Sequence, residues 1–323
     1  MGDFFYGLAK TTWALFMTLI FGDTTTNTSG IIGNDPEAWL GADGYAGVMR
    51  LNDILVIVAS GLVCIFSMYG LMKKCADLKD LKRPETIITF IMQFAVCQTL
   101  IINNKLIING IFDLGKGLFD LLSVNGETIL GVNCNPSSLI PDMNPLDTAI
   151  EGWAGLGDLL QTVLLQIINF FIYGGFFLVV AACGIIIILT LFTRHVKLIM
   201  HIVTAPLALS GFAGTREIQH TGISWVRSFC SLCLQEFLIL LTFFVTAIMS
   251  SHLLNTGGMD LQQMVVTHIP SDLLDGAMKI IGQQDFMSFM TQMIQLVVCG
   301  IKLAIISFSV KSTDKLTAKL FGL

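Results

Sequence analysis

The sequence predicts an all-α polytopic membrane protein with about five transmembrane helices, one re-entrant or broken segment and amphipathic outer helices. Of the 323 residues, 54% are hydrophobic and only 13% are charged, which is about half the charged share of a soluble domain. Five stretches stay apolar over the roughly 20 residues that a helix needs to cross a bilayer. The Lys and Arg residues collect in alternate loops between these stretches, as the positive-inside rule expects.

Five apolar stretches qualify as membrane spans, and one shorter segment does not. The shorter segment, 198–212, has Pro206 near its middle and Gly211 near its end. Because about 15 residues are too few for a comfortable crossing, we expect a re-entrant or broken segment there, with His201 in a polar role within the membrane. The expected spans are 53–72, 86–108, 161–193, 228–251 and 287–310.

The distribution of basic residues predicts the orientation of the chain. Twelve of the 18 Lys and Arg residues lie in the segments 73–85, 194–227 and 311–323. Since cytoplasmic loops carry the excess of Lys and Arg, we expect these segments in the cytoplasm, with the N-terminus outside and the C-terminus inside. Arg194 and Lys197 are then anchors of the third span at the cytoplasmic face.

The predicted organisation has four parts. Residues 1–50 form an N-terminal amphipathic helix and an outer loop, and 51–108 form the first pair of spans. Residues 109–160 form an outer amphipathic cap that is rich in acidic side chains, and 161–323 form the transmembrane core with a cytoplasmic C-terminus. The apolar stretch 4–21 is short for a span, so it either lies in the membrane interface or lines or plugs a central opening.

Two opposite charges are predicted at the same depth in the membrane. Glu236 lies eight residues into the fourth span, and Lys302 lies eight residues before the end of the fifth, about 12 Å from the cytoplasmic face at ~1.5 Å per residue. An ion pair between them is feasible, whereas an unpaired charge would cost roughly 2.5–3.5 kcal/mol at the bilayer centre. The pair either holds two helices together or faces a polar pathway.

The fifth span carries a row of polar side chains on one helical face, because residues three or four apart share a face of an α-helix. Such rows either hold helices together within or between subunits or line a water-filled route. A similar row in the second span consists of Gln93, Cys97 and Asn104. The row of the fifth span consists of Ser288, Gln292, Gln295, Cys299, Lys302 and Ser309.

The reactive side chains form no recognisable catalytic or metal-binding pattern. The five His residues include no H-x-x-x-H pair, which is the usual helical zinc spacing. Cys230 and Cys233 have the spacing of a metal pair, but an apolar helix without a nearby His favours packing. We therefore expect a protein that is not an enzyme and needs no cofactor or metal.

One region resembles a known family of membrane proteins. A basic turn closes the third span, an apolar segment with an Ala-Pro pair follows, and a Trp-bearing stretch precedes the next span. The sequences are Arg194-His195-x-Lys197, LIMHIVTAPLALSGFAGT with Pro206, and GISWVRSF with Trp225 and Arg227. This layout resembles the polytopic channel subunit of type IV secretion and conjugation systems, the TrbL/VirB-six family, over about residues 50–312.

The resemblance implies an inner-membrane subunit that forms homo-oligomers and helps to move single-stranded DNA or protein across the cytoplasmic membrane. Its partners would be a secretion ATPase, other secretion-system subunits and membrane lipid. The resemblance also implies cytoplasmic or ATPase contacts for Pro206 with its flanking segment and for Trp225 and Arg227. The outer cap would serve assembly, and its acidic character departs from a surface that attracts DNA.

A secondary transporter is the alternative function, with Glu236 and Lys302 as its coupling pair. Inverted repeats are typical of such transporters, and none is visible between the halves of the sequence. The odd number of expected spans also favours the channel subunit.

Overall fold

The computed structural model describes residues 2–23, 28–32, 36–75, 84–130, 140, 156–255 and 283–322. Over this part of the chain the protein is an all-α polytopic membrane protein, which confirms the predicted fold class. Strands β1 (Gly22–Asp23) and β2 (Thr28–Ser29) form a single short antiparallel pair. The helices are α1 (Gly2–Phe21), α2 (Pro36–Cys75), α3 (Pro84–Ile102), α4 (Asn104–Leu130), α5 (Leu156–Ser210), α6 (Arg216–Asn255) and α7 (Gln283–Leu320), with a 3₁₀ turn at Gly211–Ala213.

The chain folds into two compact units, and each is assembled from segments that are distant in sequence. The first unit contains Met1–Gly30, Asn125–Leu189 and Leu241–Lys311. The second unit contains Ile31–Val124, Thr190–Leu240 and Ser312–Leu323.

In the first unit, α1 packs against α5. The ring of Tyr6 lies 6.1 Å from that of Tyr173 and 6.3 Å from that of Phe176. The buried side chains of α1 recur every three or four residues, as expected for a helix with one packed face. They are Tyr6, Ala9, Trp13, Met17 and Ile20.

In the second unit, the buried core joins side chains from α2, α3, α4, α5 and α6. The fully buried members recur at helical spacing on each helix, so each helix contributes one face. They include Ala59, Val63, Cys97, Ile101, Leu198, Ile202 and Phe229.

Five helices of the described chain are long and apolar enough to cross a membrane. Four of them contain expected spans and lie in α2, α5, α6 and α7, which supports a multi-pass membrane protein. The fifth is Phe4–Phe21. From the sequence alone, this stretch was expected either to lie in the membrane interface or to line or plug a central opening. The expected span 86–108 falls in a bent pair, Ile87–Ile102 and Asn104–Leu122, whose halves meet at 67°.

The chain therefore breaks in the middle of this bent pair and not at 198–212. The predicted break at 198–212 is wrong, because α5 continues through Pro206 to its end. Proline lacks an N–H and frees the carbonyl four residues earlier, which usually kinks a helix. Here that carbonyl, Ile202 O, accepts a hydrogen bond of 2.7 Å from Asn52 Nδ2. A side chain of α2 thus replaces the missing backbone donor.

Candidate functional site

The region that carries the family resemblance is a closely packed hairpin of α5 and α6. A Cβ atom at Gly211 would lie 3.0 Å from Ile218 O, and one at Gly222 would lie 3.0 Å from Ala208 O. These distances are tighter than most Cβ contacts, so a side chain at either position would push the two helices apart by a few tenths of an ångström. Gly211, which was predicted to end a broken segment, instead opens a tight helix-to-helix turn.

The turn of this hairpin is capped by a side chain from α3. Gln93 Nε2 donates to Phe212 O at 2.9 Å and reaches Gly214 O at 3.5 Å. Gln219 Nε2 also donates to Phe212 O, at 3.3 Å. Carbonyls at a helix end have no partner within the helix, so these amides satisfy the 3₁₀ turn that follows α5. The polar row of the second span thus serves helix packing here.

The hairpin contains a buried ion pair, and it differs from the predicted one. Arg194 Nη1 donates to Glu236 Oε1, and Arg194 Nε donates to Leu232 O at 2.9 Å. The side chains of Arg194 and Glu236 are 1% and 3% exposed. The ion pair of Glu236 is therefore made with Arg194, and the predicted pairing with Lys302 is wrong.

The position of Arg194 explains this difference. The sequence placed Arg194 at the cytoplasmic end of a span, where a long side chain reaches water. Because α5 runs on to Ser210, Arg194 lies well inside the helix and its charge cannot reach the end. Glu236 and Leu232 are one turn apart on α6 and offer the guanidinium a carboxylate and a carbonyl.

The two histidines of α5 make different contacts. His195, next to Arg194, is buried, and its ring stacks on Trp39 of α2 at 4.4 Å with an interplanar angle of 12°. The His201 ring is bonded at both nitrogens, through Nδ1 to Lys197 O at 2.8 Å and through Nε2 to Ser228 Oγ at 2.9 Å. His201 therefore joins α5 to α6.

The residues predicted to make cytoplasmic contacts have unequal access to solvent. Trp225 is only 8% exposed and stacks on Phe229 at 5.3 Å, so its predicted contact role is wrong. It faces the core because the hairpin is helical at this point. Arg227 is exposed. Lys197 Nζ pairs with Asp314 Oδ2 of α7 at 2.7 Å, and both side chains are about half-exposed.

The predicted polar row of α7 divides between the interior of the first unit and its surface. Gln292 Oε1 accepts a hydrogen bond of 3.1 Å from Tyr173 Oη, and Cys299 is buried. Gln295 is exposed and Lys302 is half-buried. The side chain of Ser288 lies outside the described part of the structure. The row thus contributes at least one bond that holds α7 to α5.

The cysteine pair of α6 takes part in close helix packing. Cys233 is buried, and a Cβ at Gly115 of α4 would lie 2.9 Å from Cys233 O. Cys230 is a free, partly exposed thiol. Among the described residues, no group of three or more His, Cys, Asp and Glu side chains is placed to hold a metal ion.

Three functional contacts were missed from the sequence: the bond of Asn52 to α5, the cap of Gln93 and the stacking of Trp39 on His195. The sequence does hint at the bond of Asn52, because an Asn at the start of one apolar span and a Pro inside another both need a hydrogen-bond partner. No sequence pattern pairs positions 150 residues apart.

The chain was also compared with known proteins. No protein family, curated protein or solved structure matches it.

Proposed function

We propose that the chain is a channel or scaffold subunit of a type IV secretion system and helps single-stranded DNA or protein to cross the cytoplasmic membrane. The subunit is not an enzyme in this proposal. It forms homo-oligomers, its N-terminus lies outside and its C-terminus lies in the cytoplasm. The exposed apolar surface of α5 is the observation that carries the proposal.

The exposed apolar surface of α5 is longer than one bilayer can cover. It extends from Ile167 to Met200, a rise of about 50 Å at ~1.5 Å per residue. A hydrocarbon core of about 30 Å covers roughly 40 Å of a helix even at the upper tilt of ~40°. The remaining apolar surface needs cover from other protein, as in a subunit built into an assembly. The exposed side chains are Ile167, Phe170, Phe171, Leu178, Val179, Ile185, Leu189, Phe192, Val196 and Met200.

The chemistry of the hairpin favours a structural role over a transporter. A coupling carboxylate must be able to bind and release its ion. Glu236 is buried and held by Arg194, so it is poorly suited to that exchange. The exposed Arg227 on the same hairpin stays available for contact with a secretion ATPase.

Deletion of the gene in a donor strain tests the proposal. Conjugative transfer should fall to background and return when the wild-type gene is supplied in trans. The complementing variant Arg227→Ala should restore less transfer than Arg216→Ala, a matched change at a second exposed arginine of the hairpin. Wild-type transfer frequency in the deletion strain would contradict the secretion role.

Association of copies is tested separately on the purified chain. Gly175 and Gly61 are both exposed, and no atom lies within 4 Å of a Cβ built at either position. A side chain at either position therefore meets no neighbouring atom at its Cβ. Native mass spectrometry in detergent should show that Gly175→Trp on α5 lowers the oligomer number, whereas Gly61→Trp on α2 leaves it unchanged.

A further inference from the structure

We infer that the second unit binds a small organic cation in a cavity between α2, α4 and α5. The cavity has a volume of about 230 Å³, which is large enough for an aromatic amine. It does not coincide with the hairpin ion pair, and binding there does not depend on the proposed role in secretion. The lining includes Glu37, Tyr45, Asn109, Phe112, Asp113 and Ile202.

The wall formed by α4 follows from helical spacing. Asn109, Phe112 and Asp113 are three and four residues apart, so they share one face of the helix. Asn109 and Asp113 are exposed, whereas Ile202 of α5 is only 2% exposed. The cavity therefore has a polar, solvent-accessible opening and an apolar floor.

The wall formed by α2 depends on a kink at Gly41. Gly41, near the start of α2, has φ 72° and ψ 159°, and the helix is kinked at this residue. This backbone conformation is essentially restricted to glycine. The kink separates Glu37 from Tyr45 and redirects the helix between them, and both residues line the cavity. The concave shape of this wall therefore depends on the absence of a side chain at Gly41.

The charge of the lining selects a cation. Glu37 and Asp113 lie on different helices and both line the cavity. Neither makes an ion pair in the described part of the chain, and the described residues of the lining include no Lys or Arg. A ligand with an ammonium group can therefore pair with carboxylates from two sides.

The composition of the lining favours an organic cation over a metal ion. Calcium and magnesium bind through oxygen ligands and water, whereas most of the described lining of this cavity is aromatic or apolar. Tyr45 and Phe112 supply aromatic rings, which attract organic cations through their faces. The apolar floor at Ile202 can pack against a hydrocarbon body. The chemistry thus fits an alkyl or aryl ammonium ion.

Isothermal titration of the purified full-length protein in detergent tests this inference, with benzylammonium as the probe. Benzylammonium should bind, and the neutral analogue benzyl alcohol should bind at least ten-fold more weakly. Glu37→Gln and Asp113→Asn should each weaken benzylammonium binding by about ten-fold, because each removes one charged partner. The matched control is Asp43→Asn, an exposed acid of α2 outside the lining, and it should leave the affinity unchanged.

A geometric variant separates cavity shape from charge. Gly41→Ala adds a side chain where φ is positive and should weaken benzylammonium binding while both carboxylates remain. Circular dichroism should show the same helix content in all variants. Equal binding of the alcohol, displacement of the amine by equimolar calcium, or unchanged affinity in the Glu37, Asp113 and Gly41 variants would each overturn the proposal.

Discussion

The side-chain amide of Asn52 occupies the hydrogen-bonding place that Pro206 leaves empty in α5. Its Nδ2 atom donates to Ile202 O at 2.7 Å, the carbonyl that an N–H at position 206 would meet in a regular helix. Asn104 holds the same amide from the other side, since its Nδ2 atom donates to Asn52 Oδ1 at 3.0 Å. Asn52 thus connects the proline of α5 with the start of α4 at the bend.

This relationship predicts that Asn52 and Pro206 are energetically coupled. Asn52→Ala should lower the free energy of unfolding by about 1–3 kcal/mol, because buried polar groups lose their partner. The loss should be smaller in a Pro206→Ala background, since the restored N–H can take the Ile202 carbonyl. A double-mutant cycle of denaturant unfolding in detergent, followed by circular dichroism, measures this coupling.

The matched control for this cycle is Asn103→Ala. The exposed Asn103 side chain, at the bend between α3 and α4, bonds only to Thr99 O in the last turn of α3, at 3.0 Å. Its removal should change stability by less than about 0.5 kcal/mol. Strict additivity of Asn52→Ala and Pro206→Ala would show that the amide does not compensate for the proline.

A second prediction concerns the ion pair between Arg194 and Glu236. Glu236→Gln should cost about 3–5 kcal/mol in unfolding free energy, because it leaves a buried guanidinium without its counter-charge. The double change Arg194→Met with Glu236→Leu should recover most of this loss, since it removes both charges together. Thermal unfolding in detergent measures both effects.

A half-exposed ion pair of α5 provides the comparison. Lys197 and Asp314 have side chains that are 44% and 45% exposed, so water screens their attraction. Asp314→Asn should cost at most about 1 kcal/mol. Equal losses of unfolding free energy for Glu236→Gln and Asp314→Asn would show that burial does not strengthen the dependence of Arg194 on its partner.

A third prediction concerns the close approach of α5 and α6. Gly222→Ala should destabilise the protein by about 1–3 kcal/mol, because the added methyl meets Ala208 O at 3.0 Å. Gly61→Ala lies in an exposed helix interior with open space and should be neutral or stabilising by up to about 1 kcal/mol. The unfolding midpoints of the two variants measure this difference. Unchanged stability in Gly222→Ala would contradict the close approach of α5 and α6.

A fourth prediction concerns the cap that Gln93 places on the hairpin turn. Gln93→Leu should leave the helix content unchanged but speed amide hydrogen exchange in the turn, because Phe212 O loses its 2.9 Å bond. Gln98→Leu is the matched change on the same helix, where the amide bonds to Ser60 Oγ at 3.2 Å. Exchange measured by mass spectrometry should rise near Phe212 only for Gln93→Leu, and equal rates for both variants would argue against the cap.

The fold class could be predicted because it depends on composition and length. Apolar stretches of membrane length predicted α2, α5, α6 and α7, since lipid forces the backbone of a spanning segment into helix. The break at Pro206 was wrongly predicted for a related reason. The proline effect is local and visible in sequence, but its compensation by Asn52 depends on tertiary contact.

The candidate site could be predicted only in part. The cost of an intramembrane charge correctly singled out Glu236 as a residue that needs a partner. The predicted partner, Lys302, was wrong. Arg194 was overlooked because the sequence placed it at the end of a span, where a basic residue is expected without any counter-charge. Depth along the helix depends on where α5 ends, and that end depends on the close packing of Gly211 and Gly222 across the turn, which no sequence motif reveals.

The ion pair also imposes an order on biosynthesis. Arg194 and Glu236 are separated by 42 residues, so the arginine is synthesised before its counter-charge. Released alone into lipid, an arginine would oppose insertion by roughly 2.5–3.5 kcal/mol. We therefore expect the C-terminal part of α5 to enter the bilayer together with α6, as one hairpin.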